Sequence, residues 1–93
     1  MSQSVFEAEA RTVAVRNLTP NVAGVAASLD SLLGHLEVTY FLFGAPTDDD
    51  GELRELTVGE LIAAFPEIQT AVSDFGTVEE MSAAKDRLVF AKG

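Results

Sequence analysis

Pro66 constrains the fold of this chain more than any other residue. It interrupts an apolar pattern with spacings of three and four residues, which is typical of one face of a helix. The pattern consists of Val58, Leu61, Phe65, Ile68, Val72 and Phe75. Inside a helix, Pro66 would remove one backbone hydrogen bond and clash with the preceding turn, at a cost of about 3 kcal/mol. Residues 57–75 therefore have two interpretations: a single helix, or a helix over 57–65 followed by a strand near 67–75.

The residues before that segment predict a strand, a long helix and a second strand. Valines that alternate with other residues predict a half-exposed strand over 11–18. Thr19 and Pro20 are typical of a helix start, which predicts a helix over about 20–36. Its apolar residues, spaced three and four apart, are Val22, Val25, Leu29, Leu32 and Leu36. Residues 37–43 are rich in β-branched and aromatic side chains and predict a central strand.

The second half of the chain contains turn, helix and strand signals in succession. Residues 44–51 predict a solvated turn with an acidic run, and 52–56 predict a short strand. Two capping boxes, Thr57-Val-Gly-Glu60 and Thr77-Val-Glu-Glu80, predict helix starts. The helix after the second box is expected to extend over about 78–86, and Leu88-Val-Phe90 predicts a last strand.

Composition excludes several classes of function. Six Lys and Arg residues against fifteen Asp and Glu residues give a net charge of −9, too acidic for binding nucleic acid mainly through its phosphates. The chain has no cysteine and one histidine, His35, which excludes disulfides, thiolate zinc sites and multi-histidine metal sites. His35 is expected at a helix C-terminus in a structural role. The acidic run Asp48-Asp-Asp-Gly-Glu52 lacks the ligand spacing of an EF-hand. We expect no metal and no cofactor.

Length and hydropathy limit the organisation of the chain. Its 93 residues suffice for one domain, and 47% apolar residues argue against intrinsic disorder. Residues 1–10 have neither a basic region nor an apolar run, so a flexible leader or short helix is expected there rather than a secretory signal. Residues 11–93 are expected to form a single domain. Because no apolar stretch is long enough to span a bilayer, we expect a cytoplasmic or nuclear protein with no membrane partner.

The order of predicted elements is that of an α+β ferredoxin-like sandwich, a split βαβ fold with an antiparallel sheet and helices on one face. Val13-Ala-Val-Arg-Asn-Leu18 resembles the first signature strand of the RNA-recognition motif (RRM) family. Phe75-Gly-Thr-Val-Glu-Glu-Met-Ser-Ala-Ala84 resembles the end of that family's third strand and the start of its second helix. The likeness covers roughly residues 11–90, with an unmatched insertion across about 44–66. It implies an RRM-like fold and an RNA-processing or ribonucleoprotein context.

What the resemblance implies about binding concerns the sheet face that the helices leave open. In the RRM family, aromatic side chains on this face stack on single-stranded bases. Here the corresponding positions are Ala14 in the first strand and Thr70 and Val72 in the third, so most of that affinity should be absent. Arg16 and Tyr40 remain as candidates for contact with RNA or another ligand on this face. We expect single-stranded RNA binding to be weak at most.

The sequence supports two hypotheses about function. In the first, the chain is a non-enzymatic RRM-like protein-interaction module, because no set of residues supplies a nucleophile, a base and oxyanion donors together. Leu61 and Phe65 would then dock a protein partner, and in the alternative interpretation they are ordinary core residues. In the second hypothesis, the chain is a small acidic ferredoxin-like regulatory or dimerisation module that binds a protein or small ligand. A single helix over 57–75 would favour the second.

Overall fold

The computed structural model describes residues 3–92, which form a four-stranded sheet with helices packed against it. In chain order the elements are α1 (Gln3–Arg16), β1 (Val22–Asp30), β2 (His35–Leu42), α2 (Asp48–Ala64), β3 (Thr70–Thr77), α3 (Val78–Met81), a 3₁₀ helix (Ser82–Arg87) and β4 (Leu88–Ala91). The strand order is β3-β2-β1-β4, in which β1 is antiparallel to β2 and β4, whereas β2 and β3 are parallel. The α+β class is confirmed. The sheet is mixed rather than antiparallel, and the ferredoxin-like arrangement is not confirmed.

Pro66 ends α2, as the second interpretation of residues 57–75 requires. The helix stops at Ala64, and Phe65 leaves the helical region with φ of −128° and ψ of 89°. The Phe65 N–H still donates to the Leu61 carbonyl oxygen at 3.0 Å, so the last helical bond forms just before the proline, which has no N–H. Strand β3 then begins at Thr70. The helix-then-strand prediction is confirmed, and α2 serves as the crossover that a parallel strand pair needs.

Helix α2 begins earlier than the sequence predicted. Its cap is Thr47, whose Oγ1 accepts the Asp50 N–H at 3.2 Å, while the Asp50 carboxylate accepts the Thr47 N–H at 2.9 Å. The solvated turn is therefore shorter than the predicted 44–51, and the strand predicted over 52–56 is wrong. Aspartates in the first turn complement the positive end of the helix, which explains why this acidic run is helical.

The largest disagreement with the sequence prediction lies in the first 36 residues. The strand predicted over 11–18 is wrong, because residues 11–16 belong to α1, whose buried residues follow a helical period. These buried residues are Phe6, Ala10, Val13 and Ala14. The helix predicted over 20–36 is also wrong, since these residues form β1, a turn and the start of β2. Both faces of β1 are buried, so no alternation marks it as a strand, and its apolar spacing coincides with that of a helix.

The remaining predicted elements agree better with the structure. Strand β2 confirms the strand predicted over 37–43. The second capping box is present, because Thr77 Oγ1 accepts the Glu80 N–H at 3.2 Å and the Glu80 carboxylate accepts the Thr77 N–H at 2.8 Å. The helix predicted over 78–86 is split into α3 and the 3₁₀ helix, and β4 confirms the last strand.

The two faces of the sheet are covered unequally. Helices α1 and α2 cover one face and bury the main core there. Within this core the ring centres of Phe6 and Phe65 lie 5.5 Å apart. On the other face, α3 and the 3₁₀ helix cover only a small cluster around Phe41. Gly24 permits this close packing, since a Cβ atom there would lie 2.5 Å from the Met81 sulfur. The part of this second face around Val72 is left exposed.

Candidate protein-interaction surfaces

The exposed part of the second sheet face is a polar strip across β2 and β3, called here the open face. It consists of His35, Glu37, Thr39, Thr70, Val72 and Asp74. Side-chain hydrogen bonds of 2.7 Å join the two strands, one from Thr39 to Asp74 and one between His35 and Thr70. Val72, which is 54% exposed, is the apolar residue among them. The open face therefore presents an acidic surface without Phe, Tyr or Trp side chains.

Thr70 and Val72 lie on this face, whereas the other three residues predicted for it do not. Ala14 is fully buried in α1, because the segment predicted as the first strand is helical. Arg16 is exposed on the same helix, on the other side of the sheet. Tyr40 is fully buried, since side chains alternate along β2 and its ring points toward the helices. The predicted pairing of Arg16 and Tyr40 on one open surface is therefore wrong.

Tyr40 instead belongs to a buried hydrogen-bond network. Its hydroxyl donates to the Asn17 carbonyl oxygen at 2.9 Å and lies 2.5 Å from Thr57 Oγ1. The Asn17 side-chain amide donates to Thr57 Oγ1 at 3.1 Å, which closes a ring of three residues. Burial raises the pKa of Tyr40, with a contribution from the charge of Glu60, although the bond to Thr57 opposes the rise. This network joins β2 to both long helices.

Glu60 lies at the solvent side of the network. Its carboxylate accepts the Asn17 side-chain amide at 2.6 Å and the Arg16 guanidinium at 3.1 Å. The bond from Asn17 lowers the pKa of Glu60, and Arg16 adds to this against the effect of burial. Arg16, predicted to face a ligand, therefore forms a bridge between α1 and α2.

Asp50 is a second carboxylate held by the fold. It is fully buried at the start of α2 and accepts the Thr19 hydroxyl at 2.5 Å and the Asn21 side-chain amide at 2.9 Å. Burial opposes ionisation, but these hydrogen bonds and those from Thr47 outweigh it and lower the pKa of Asp50. Asp50 thus ties the start of α2 to the connection between α1 and β1.

Leu61 and Phe65, the predicted partner-docking residues, lie in the main core. Leu61 is fully buried and Phe65 is 7% exposed, because α2 packs on the sheet rather than projecting from the domain. The docking prediction is wrong for both residues, and the core interpretation holds. His35 is also placed differently, since it begins β2 rather than ending a helix.

The hairpin between β1 and β2 ends in two exposed leucines, called here the tip leucines. Leu32 is 96% exposed and Leu33 is 69% exposed. The Asp30 carboxylate accepts both of their backbone N–H groups, at 3.0 and 3.1 Å, and Gly34 completes the turn with φ of 63°. The Gly34 carbonyl oxygen also accepts the Gln69 N–H at 2.7 Å. An anchored turn therefore holds two large apolar side chains in solvent.

A groove lies at the opposite end of β2, where β2 and β3 terminate; we call it the terminal groove. Its volume is about 390 Å³, within the usual range of ligand pockets. The walls include Phe43, Pro46, Phe75, Val78 and Glu79. Phe43 is 58% exposed and Val78 39% exposed. The Lys92 ammonium group lies 5.8 Å from the centre of the Phe43 ring, which places a cation beside this apolar groove.

Sequence reasoning missed both of these features. The sequence does contain a signal for a turn at the tip leucines, because Asp30 and Gly34, two residue types typical of turns, flank them. Leu32 also fits a helical spacing with Leu29 and Leu36, which favours a helix over a turn at this position. The terminal groove had none, because residues 43–46 and 75–79 come together only through the parallel pairing of β2 and β3.

Comparisons with known proteins do not assign the chain to a family. No family model matches it, and no curated protein matches it with significance. Membership of the RRM family stays a prediction, although residues 13–16 of the expected first signature strand are helical. No helix within residues 3–92 is long and apolar enough to cross a membrane. In the same described part, no three His, Asp or Glu side chains are grouped as metal ligands.

Proposed function

We propose that this chain is a non-enzymatic protein-interaction module that docks a partner through its hairpin tip. The observation that carries the proposal is the exposure of Leu32 and Leu33, at 96% and 69%. Burying a leucine stabilises a complex by roughly 1.5–3 kcal/mol, so two adjacent ones form an effective apolar anchor. Because the Asp30 carboxylate already fixes the backbone of the turn, the turn loses little backbone conformational entropy when a partner binds.

The interior supports the non-enzymatic part of the proposal. The Asn17, Tyr40 and Thr57 side chains form a connected polar cluster in the interior, and none is more than 4% exposed. A substrate has no access to these groups without unfolding the helices that cover them. They form hydrogen bonds to one another, to the Val13 carbonyl oxygen and to Glu60, which is the role of a structural network.

Single-stranded RNA is not part of this proposal. The two residues expected to contact it are not placed for that role, since Tyr40 is buried and Arg16 pairs with Glu60. The open face presents the carboxylates of Glu37 and Asp74. These charges add to the net charge of −9 and oppose the approach of phosphates.

Strand β3 favours dimerisation as a second candidate function. It forms one edge of the sheet over eight residues, so its outer backbone groups are available for pairing. An antiparallel pair centred on Val72 would place each Asp74 opposite Thr70 of the second copy, which avoids facing carboxylates. A Val72→Lys variant should abolish such pairing, and a sedimentation measurement that shows no effect would exclude it.

The proposal is tested with a Leu32→Ser, Leu33→Ser double variant. Tagged wild-type and variant proteins are expressed in the source cells, and the proteins that copurify are quantified by mass spectrometry. The strongest tip-dependent partner is then purified and its affinity measured by calorimetry. We expect the double variant to bind at least about 10-fold more weakly, because two buried leucines contribute more than 1.4 kcal/mol.

Leu56→Ser is the matched control, since Leu56 is 50% exposed on α2, away from the hairpin. This variant should keep the same partners and the same affinity as wild type. If the double variant also keeps all of them, the hairpin tip is not the docking element.

A further inference from the structure

We propose that the terminal groove of one copy receives the tip leucines of another, so that the chain assembles head to tail. This inference rests on the proposed function and names its partner as a second copy of the chain. The contact would join two different surfaces of the same molecule. Such heterologous contacts produce closed rings when the rotation between copies closes, and open filaments when it does not.

The positions of the two surfaces in the fold support this assembly. The tip leucines lie just before β2 begins at His35, and Phe43 of the groove follows directly after β2 ends at Leu42. Eight strand residues place them about 25 Å apart. A copy therefore cannot insert its own tip into its own groove. Each molecule presents one apolar projection at one end of the sheet and one apolar recess at the other.

The chemistry of the two surfaces is complementary. The groove is walled by exposed Phe43 and Val78, and its volume of about 390 Å³ can hold more than one aliphatic side chain. Asp30 brings a carboxylate to the base of the tip, and the Lys92 ammonium group lies 5.8 Å from the ring centre of Phe43, one wall of the groove. Within residues 3–92, no carboxylate forms an ion pair with Lys92. Docking would place these opposite charges close together.

The surroundings of the groove disfavour an anionic small molecule as its occupant. Glu79 lines it, and Asp48 and Asp49 follow Pro46 by two and three residues at the start of α2. These carboxylates oppose an anionic ligand, although a helix start by itself would attract one. The larger part of the lining surface is apolar. An apolar projection such as the tip leucines fits these conditions best.

The test is a complementation experiment with two variants of the full chain. Leu32→Ser, Leu33→Ser removes the projection and leaves the groove intact. Val78→Glu places a charge in the groove and leaves the tip intact; glutamate suits this first position of α3. Sedimentation velocity is measured up to about 1 mM protein in about 0.5 M NaCl, where screening reduces the repulsion between two copies of charge −9.

We expect wild type to form a concentration-dependent series of oligomers and each variant alone to be monomeric. An equimolar mixture of the variants should form a dimer and nothing larger, because only one intact tip and one intact groove remain to pair. That dimer also shows that both variants are folded. The Leu56→Ser control should assemble as wild type does.

Three results would overturn the inference. One is a wild-type protein that stays monomeric at the highest concentration. Another is a mixture that behaves as two separate monomers although both variants melt like wild type. The third is assembly that persists in both variants, which would indicate another surface, such as the edge of β3. A monomeric wild type whose tip variant still loses a different protein partner would leave the proposed function standing.

Discussion

The hydroxyl oxygens of Tyr40 and Thr57 lie 2.5 Å apart inside the molecule, between a central strand and helix α2. Because the Tyr40 hydroxyl donates its hydrogen to the Asn17 carbonyl oxygen, Thr57 is the donor in this pair. Water has no access to these groups, since both side chains are essentially unexposed. The position of α2 on the sheet therefore depends on a directional contact as well as on apolar packing.

Replacing Tyr40 with phenylalanine should destabilise the protein by about 1–3 kcal/mol, because it leaves buried polar groups of Asn17 and Thr57 unpaired. The measurement is urea denaturation followed by circular dichroism. Thr57→Val and the double variant complete the cycle. The double variant should cost less than the sum of the single ones, since each removes the same contact. If the destabilisation of the double variant equals the sum of the two single values, the contact between Tyr40 and Thr57 contributes nothing to stability.

Asp50→Asn should destabilise the protein at neutral pH by about 1–3 kcal/mol, because three hydrogen-bond donors lose their charged acceptor. The pKa of Asp50 is lower in the folded state than its ordinary value. Its ionised form therefore stabilises the fold above the unfolded-state pKa of about 3.9, and this stability is lost as the pH falls through the folded-state pKa. The difference between wild type and variant should therefore shrink as the pH falls below about 3.9.

Asp49→Asn is the matched control for this pH dependence, because Asp49 is exposed in the same helical turn. Its effect should be no more than about 0.5–1 kcal/mol at neutral pH. Urea denaturation at pH 7 and at pH 2.5–3 compares the three proteins. A penalty for Asp50→Asn that is the same at both pH values would show that its ionisation does not stabilise the fold.

Gly34→Ala should destabilise the protein by about 1–3 kcal/mol, because the residue has φ of 63° and its Cβ would meet the Glu67 carbonyl oxygen. Gly59→Ala offers a contrast of opposite sign. Gly59 lies within α2 with open space around its Cβ position, so alanine there should stabilise by about 0.5–1 kcal/mol. The melting temperatures of both variants provide the check. If Gly34→Ala and Gly59→Ala change the melting temperature equally, the positive φ of Gly34 imposes no constraint on the turn.

The tip leucines should contribute little to the stability of the isolated domain. Leu32→Ser and Leu33→Ser are each expected to change the free energy of unfolding by less than about 0.5 kcal/mol. Leu36→Ala, three residues after Leu33, should cost about 2–5 kcal/mol, because Leu36 is fully buried. A large decrease in the free energy of unfolding in either serine variant would mean that the tip packs within its own molecule.

The sequence predicts those features of the fold best that depend only on residues close together in the chain. Pro66 sets the end of α2 through its ring and missing N–H, and Thr77 with Glu80 sets the start of α3, so both could be inferred from their neighbours. Strand β2 was also clear, because β-branched and aromatic residues are dense there.

The failures have a common physical cause in burial. Strand β1 is covered on both faces by elements distant in the chain, so its small and apolar residues show no alternation. The helical period of α1 rests on Ala10 and Ala14, and alanine is a weak hydrophobic marker. An RRM-like sheet predicts an open face for Tyr40, and a helix that projects from the domain predicts an exposed Leu61, whereas the structure buries both residues. Of the candidate surfaces, only Thr70 and Val72 could be placed from the sequence.

The strand order has a consequence for how the molecule opens. β1 and β2 each have a strand on both sides, whereas β3 and β4 are each attached through one neighbour. Fluctuations that release an outer strand leave the inner hairpin in place, so its amide hydrogens should exchange with deuterium last. The leucines at the end of that hairpin thus belong to the part of the domain that unfolds last. They stay exposed and held in their turn when the outer strands unfold.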